Sequence, residues 1–428
     1  MKKITVTIIS AIALLLFTEP VDAQRITVPS NYGEWYYPDL TQTNGLYERK
    51  FPAKPGDTVL VDAEYSHIGL YNLHGLPGKP IVFMRVGGKS RVGKNNLGNA
   101  MITARCSYLV FDGFEVGHEN TDGQSYSAQG WNIQSSHNLE IRNFIVKNSN
   151  IGFFTNPASG HFPNFYFHNG IVKNIRDKNN TNFDEAFYIG RTSGQSLAVN
   201  SFANLRIENV DLYDLGGDGF QLANCVNFSV KNCKVFRAGL NKINDQWFAF
   251  LAGGNSSGTF ENVYAEDCSG TPFQVLGTDK VRFINAVAKN CGFGAANQDA
   301  FYLRKSGANL TVEIKNCVVD KKSRSWIFLA SSGIVLDTAG NKFGVTVPTI
   351  PTQPTKVDSV TKASYDSVMA LYNTAQMMYA GCNNNLQTLQ TNYNNLLANL
   401  NTANKQYEEL KERLEALKKE IENILNKF

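Results

Sequence analysis

The sequence has almost no excess of charge of either sign. Its 41 Lys and Arg against 37 Asp and Glu give a formal net charge of +4. That is too little for the basic field by which nucleic acid is held, so DNA and RNA are not expected as partners. Histidine is scarce. His67, His74, His118, His137, His161 and His168 form no close pair with a carboxylate at ligand spacing. Zinc patterns, a phosphate loop and Gly-x-Ser-x-Gly are missing as well. No cofactor and no metal ion are implied. What is present, 43% hydrophobic and 18% charged residues over 428 positions, is ample for a buried core and too apolar for a disordered chain.

A long apolar run occurs at the N-terminus, over residues 4–17, behind Lys2 and Lys3 and ahead of Val21-Asp22-Ala23. This is the pattern of a secretory signal over residues 1–23. A membrane anchor would need about 20 apolar residues, and Thr18-Glu19-Pro20 ends the run sooner. Cysteine does not follow the run, so a lipid anchor is not expected either. The mature chain is expected to begin near Gln24, secreted or at the cell surface, with no membrane span after cleavage.

Residues 204–239 hold one complete turn of a repeating coil. Two short β runs, 205–212 and 220–223, flank Gly216, Gly217 and Asp218, and the pattern restarts at 226–235 with Asn232 where Asn209 stood. A period of roughly two dozen residues, made of strands and glycine turns without helix, predicts a solenoid of stacked parallel strands. An Asp or Asn recurs between β runs at 112, 143, 169, 209, 232, 262, 285 and 316. Stacked asparagines at a bend hydrogen-bond along the axis and tolerate the left-handed conformation, so this ladder reads as structural. Residues 24–102 carry weaker repeats with turn-rich segments at 54–57 and 75–80, and read as an N-terminal cap and first coils. The repeats proper span 103–345.

A second ladder follows the first. It reads Glu185-Ala-Phe-Tyr-Ile189, Asp218-Gly-Phe-Gln-Leu222, Gln246-Trp-Phe-Ala-Phe250, Thr271-Pro-Phe-Gln-Val275 and Asp299-Ala-Phe-Tyr-Leu303. Alternation puts Phe187, Phe220, Phe248, Phe273 and Phe301 inward and turns Tyr188, Gln221, Ala249, Gln274 and Tyr302 outward. Tyr and Gln on a flat sheet suit sugars, whose C–H faces stack on aromatic rings while amides bond hydroxyls. Exposed strand formers on a solvated face would give the same pattern, and both readings stand. Tyr188, Gln221, Gln274 and Tyr302 are the candidate substrate-binding residues, and an acidic polysaccharide is the expected partner.

Several segments resemble secreted right-handed parallel β-helix proteins, the pectate-lyase superfamily among them. Ser107-Tyr-Leu-Val-Phe-Asp-Gly-Phe114, with Pro-Gly-Asp-Thr at 55–58 and Gly-Lys-Pro-Ile at 78–81, is similar to the N-terminal half of chondroitinase-B and alginate-lyase type helices. Phe187-Tyr-Ile-Gly190, Gly217-Asp-Gly-Phe-Gln-Leu222 and Phe273-Gln-Val-Leu-Gly277 are similar to rungs of Bacteroidetes β-helix proteins. The resemblance covers about residues 50–340. It implies an all-β fold, a right-handed single-stranded parallel β-helix. It also implies β-elimination with a Lys or Arg base and a cation to neutralise a uronic acid. The Asn-x-Glu calcium cluster of those lyases is not found. Acidic residues at rung starts and basic residues at rung ends leave Asp218, Asp299, Arg191 and Lys305 as catalytic candidates, with turn residues as the plainer alternative.

Seven cysteines are present. Cys268 and Cys291 stand one coil apart, so either a disulfide or two small core residues fits. Past Val345 the composition changes. A Pro and Thr linker over 346–363 leads into an unbroken 3,4 spacing over 364–428, with Tyr365, Tyr372, Tyr379 and Leu386 opening one set and Val368, Ala375, Cys382 and Leu389 the other. About nine heptads in phase predict a long α-helical coiled coil. A hairpin at Gly381 remains the alternative. The apolar seam predicts a homo-oligomer through 364–428, dimer or trimer. Two functions compete: a secreted β-helix that binds polysaccharide on its sheet face, with or without cleaving acidic glycans by β-elimination, and a non-catalytic structural or adhesive fibre, cellular or phage-derived.

Overall fold

The computed structural model describes residues 25–28, 53–61, 65, 68–85, 91–93, 99–118, 129–155, 160–176, 184–190, 200–241, 247–294, 298–322, 324–347, 405–406 and 408–422. The signal segment, Arg191, the linker beyond residue 347, Cys382 and the Gly381 turn lie outside these. Two compact units, 1–348 and 349–428, divide the chain.

In the first unit every named strand pairing is parallel, and successive coils place their strands in three stacks. One stack runs from Ile68–Tyr71 through Met101–Ala104, Trp131–Gln134, Phe153–Thr155, Phe187–Ile189, Phe220–Ala223 and Phe250–Gly254 to Ile327–Leu329. A second runs from Arg25–Val28 to Ile334–Ala339, and a third from Arg91–Val92 to Lys342–Phe343. The parallel solenoid follows from the sequence period, since each coil alone has too little core and must bury its apolar side on the next.

The corners are left-handed residues. Asn143, Asn169, Asn209, Asn232, Asn262, Asn285 and Asn316 all hold φ between 52° and 56°. Asn232 donates to Asn209 at 3.2 Å, and Asn262 to Asn232 at the same distance. Asp112 is one residue out of step with this ladder. Arg142 faces Asp112, so Gly113 (φ 80°) takes the bend, and Asp112 instead accepts the Asn143 amide at 2.7 Å. A second asparagine ladder, unread in the sequence, turns the chain into the second stack: Asn138, Asn164, Asn204 and Asn227.

Inside, aromatic rings form a column: Trp131, Phe153, Phe187, Phe220, Phe250, Phe273 and Phe301. The centroids lie 4.8 to 5.9 Å apart. Phe248 is not among them. Phe220 pairs with Phe250, two residues later than the motif alignment predicts, which also makes Ala249 a buried turn residue. The slip has a packing reason: Phe250 fills the column, while Trp247 and Phe248 join Leu251 in a small apolar cluster outside the coil. Cys106, Cys225, Cys233, Cys268, Cys291 and Cys317 are buried free thiols. At the last coil the inward Ile327, Ile334, Leu336 and Phe343 are only partly buried against the core.

In the second unit, residues 408–422 are helical. Leu410, Leu414, Leu417 and Ile421 lie along this helix, each between 54% and 65% exposed. Their spacing is that of a heptad seam. Among the described residues of the stretch predicted as a coiled coil, helix is seen here and at 405–406.

Candidate functional site

The site is built on the outward side of the first stack. Pairing aligns Asn132, Phe154, Tyr188, Gln221, Leu251, Gln274, Tyr302 and Phe328, one per coil. Each follows an inward core residue on its strand, a ring in every coil but the last, where it is Ile327, so strand alternation turns this row outward. Tyr188, Gln221, Gln274 and Tyr302 therefore share one line. They do not share one exposure. Gln221 is 7% exposed, Gln274 4% and Leu251 2%. Trp247, Phe248 and Leu276 pack on Leu251 and cover the middle of the row. Gln274 Oε1 is buried there without a hydrogen-bond partner.

On either side of this cover the row is partly open. Phe154 and Tyr188 lie with centroids 5.5 Å apart, tilted by 37°, and Tyr302 and Phe328 at 5.7 Å and 34°. Tyr188 and Tyr302 are four rungs apart, about 19 Å at ~4.8 Å per strand. The Arg324 guanidinium sits 3.7 Å over the Phe328 ring. Arg304 is exposed and has the same outward parity as Tyr302, opposite Leu276. Phe154, Phe328 and Leu251 escape the sequence motif for identifiable reasons. The rung at 153–155 ends in Thr155, that at 327–329 starts with Ile327, and the rung at 250 is slipped by two.

The carboxylate candidates stand two residues before the core rings and are almost fully enclosed. Asp218, 1% exposed, accepts the Phe248 N–H of the next coil at 2.7 Å. Asp299, 2% exposed, accepts from Ser325 Oγ at 2.5 Å, Ser325 N at 3.2 Å and Arg324 Nε at 3.0 Å, and its second oxygen from the other arm of Arg324. The residues between them in this column are Phe248 and Thr271. Asp218 and Asp299 are thus three rungs, about 14 Å, apart. Lys305 is four residues beyond Phe301 along its strand, where its N–H donates to Ser331 Oγ at 3.2 Å. Asp218, Asp299 and Lys305 are not brought together, and Arg191 lies outside the described residues. One more acid heads this column. Glu185 is fully buried, with Oε2 accepting the Asp184 N–H at 3.0 Å and Oε1 unpartnered. Burial pushes its carboxyl up to about 7, against the hydrogen bonds from the 184 and 185 amides. Among the described residues no group of three or more His, Cys, Asp or Glu could hold a metal ion.

Residues 179–345 match the family model described as a right handed beta helix region. Over these residues the match agrees with the parallel coils of the structure, a right-handed parallel β-helix. Among solved structures the chain is similar to pectate lyase Pel9A at 17% identity, covering 80% of this chain and 86% of that one with a TM-score of 0.49. It is similar to a rhamnogalacturonan lyase at 16% identity, covering 72% and 84% with a TM-score of 0.49. An alginate lyase from Paenibacillus sp. str. FPU-7 is 14% identical, covering 68% and 94% with a TM-score of 0.47. None of these values transfers an activity to this chain. Curated proteins give no match.

Proposed function

We propose that this right-handed β-helix binds an extended polysaccharide along the outward face of its first strand stack. Two aromatic pairs on one line of a rigid sheet, Phe154 with Tyr188 and Tyr302 with Phe328, are the observation that carries the reading. Each pair offers ring faces to sugar C–H groups, and the roughly 19 Å between them suits a chain of several sugars rather than one. Gln221 and Gln274, buried between the pairs, lie behind the contact surface. Arg304, exposed beside Tyr302, is the cation for a uronic carboxylate.

Binding is the primary function in this reading. Cleavage by β-elimination needs a base within hydrogen-bond reach of the abstracted proton. Asp218 accepts the Phe248 N–H and Asp299 the Ser325 and Arg324 donors of the neighbouring coil, so the base for such a step is Lys305 or Arg191. The protein acts outside the cytoplasm, delivered by the signal over residues 1–23, and assembles through 364–428. Support for assembly is the exposed seam of Leu410, Leu414, Leu417 and Ile421, which a second copy would cover.

Electrophoresis through gels cast with acidic and neutral polysaccharides tests binding, and release of unsaturated uronides from the same panel tests cleavage. Retardation without uronide release is the expected outcome. Passage through every gel at the speed of the empty-gel control would end the binding reading. Sedimentation of the full chain and of a truncation after Pro354 tests assembly, for which a monomeric full chain at micromolar concentration is the contrary result.

A further inference from the structure

The second stack has its own outward face, unrelated to the first. Its strands place Val110, Glu140, Tyr166 and Arg206 in one column and Asp112, Arg142, His168 and Glu208 in the next. Glu140 Oε1 accepts from Arg142 Nη1 at 2.9 Å and lies 3.1 Å from His168 Nε2. Burial pushes the Glu140 carboxyl up, but His168 and Arg142 outweigh it and hold the group below the usual carboxylate range. Tyr166 donates its hydroxyl to Glu208 Oε2 at 2.7 Å. Its ring lies 4.2 Å from the His168 ring at 20°, with the Arg206 guanidinium 4.3 Å from its centroid.

Beside this network is a cavity of about 260 Å³, walled by Tyr108, Tyr166, Asn138, Asn164, Val110 and Glu140. Tyr108 is its odd member. Ser107 pairs with His137 and Leu109 with Leu139, so Tyr108 occupies the corner that Asn138, Asn164, Asn204 and Asn227 take in later coils. Its φ is 54°, like theirs. Asparagine adopts that conformation readily and an aromatic residue does not. Tyr108 also stops the amide ladder at Asn138. An unfavourable backbone kept at the wall of a cavity points to a use for the side chain there.

We propose that this cavity is a saccharide site separate from the first-stack face, and that it takes one neutral sugar ring of a glycan chain. Tyr108 supplies the stacking face, the edge of Tyr166, whose faces pack on His168 and Arg206, closes one wall, and Glu140 supplies an ionised acceptor for paired hydroxyls. The Asn138 and Asn164 amides supply hydrogen-bonding groups at the rim. Arg142, in the adjacent column, offsets the Glu140 charge, and His168 lies within hydrogen-bond distance of the same oxygen, so nothing here selects an ion. The volume, about 260 Å³, lies below the roughly 300 Å³ at which pockets for drug-sized ligands begin, a size that suits about one ring.

The test uses the full chain with a panel of methyl hexopyranosides, followed by saturation-transfer NMR, and thermal melting in parallel. At least one glycoside saturates on the wild type. Tyr108→Asn continues the asparagine ladder, so it melts higher than wild type yet binds that glycoside about tenfold or more weaker, the loss of an aromatic contact. Glu140→Gln, which removes the acceptor charge, weakens binding by a similar factor. Saturation by none of the glycosides, or Tyr108→Asn binding as wild type does, overturns the proposal. Both readouts are independent of polysaccharide binding on the first stack, so either reading can fail alone.

Discussion

The outward faces of the first and second stacks share one backbone period and have opposite chemistry. On the first, the row from Phe154 to Phe328 contains no charged residue, and its middle is sealed by Trp247 and Phe248. On the second, nearly every outward position between Asp112 and Lys231 is charged or polar and paired across coils, as Arg142 is with Asp112 and Lys231 with Glu261. The inward sides of both are the same packed core. Solenoid geometry therefore dictates the inside and leaves each outside face free, so function on this scaffold must be argued from the outward rows alone.

The sharpest way to separate inside from outside is to truncate one ring on each side of the slipped rung. Phe220→Ala opens a cavity in the ring column and should destabilise the first unit by about 3 to 5 kcal/mol. Phe248→Ala removes a ring from the outer cluster and should cost about half as much. Denaturant melts of the two variants measure this. Equal losses would mean that Phe248, as the motif alignment has it, belongs to the column.

Buried acid at the start of a rung gives the next largest effect. Glu185 has a folded value near 7 against an ordinary 4.5, so the folded state holds its proton where the unfolded state has released it. Stability from this residue is retained at low pH and falls as pH rises from 4.5 toward 7, by on the order of 3 kcal/mol in all. Glu185→Gln should leave stability at pH 4 little changed and raise it at pH 8. A variant with the same pH dependence as wild type would show that Glu185 is not the group responsible.

Corner and surface variants complete the series. Asn232→Ala loses two ladder bonds and places alanine at φ 54°, a cost of about 1 to 2 kcal/mol. Asn232→Gly should recover part of it. Lys231→Ala, which breaks the exposed pair with Glu261 at 3.3 Å, should cost less than about 1 kcal/mol and less still in high salt.

The period, the parallel coils and the asparagine corners were legible in the sequence because each is repeated and each coil constrains the next. The inward rings were legible for the same reason, except at 246–250. There two phenylalanines fit the motif, and only packing against Phe220 and Phe273 selects Phe250. The Tyr188 and Tyr302 positions follow from alternation. Their unequal company does not: the cover over Leu251 comes from residues that fold back from the preceding turn, and Phe154 and Phe328 lie on rungs that break the Phe-x-aliphatic rule. The carboxylates at 218 and 299 stood out as acids, but their turn partners Phe248 and Arg324 come from neighbouring coils 30 and 25 residues away, a separation that no local motif encodes. The Tyr108 corner was hidden because a tyrosine interrupts the asparagine series that would have revealed it.

The most direct test of the central claim is calorimetric titration of wild type and a Tyr188→Ala/Tyr302→Ala double variant with the polysaccharide that retards the wild type most. The account predicts that the double variant folds with a modestly lower melt, the loss of two cross-strand ring pairs, and loses about 1 to 3 kcal/mol of binding free energy, the scale of lost aromatic contacts. Wild-type affinity in the double variant would contradict it.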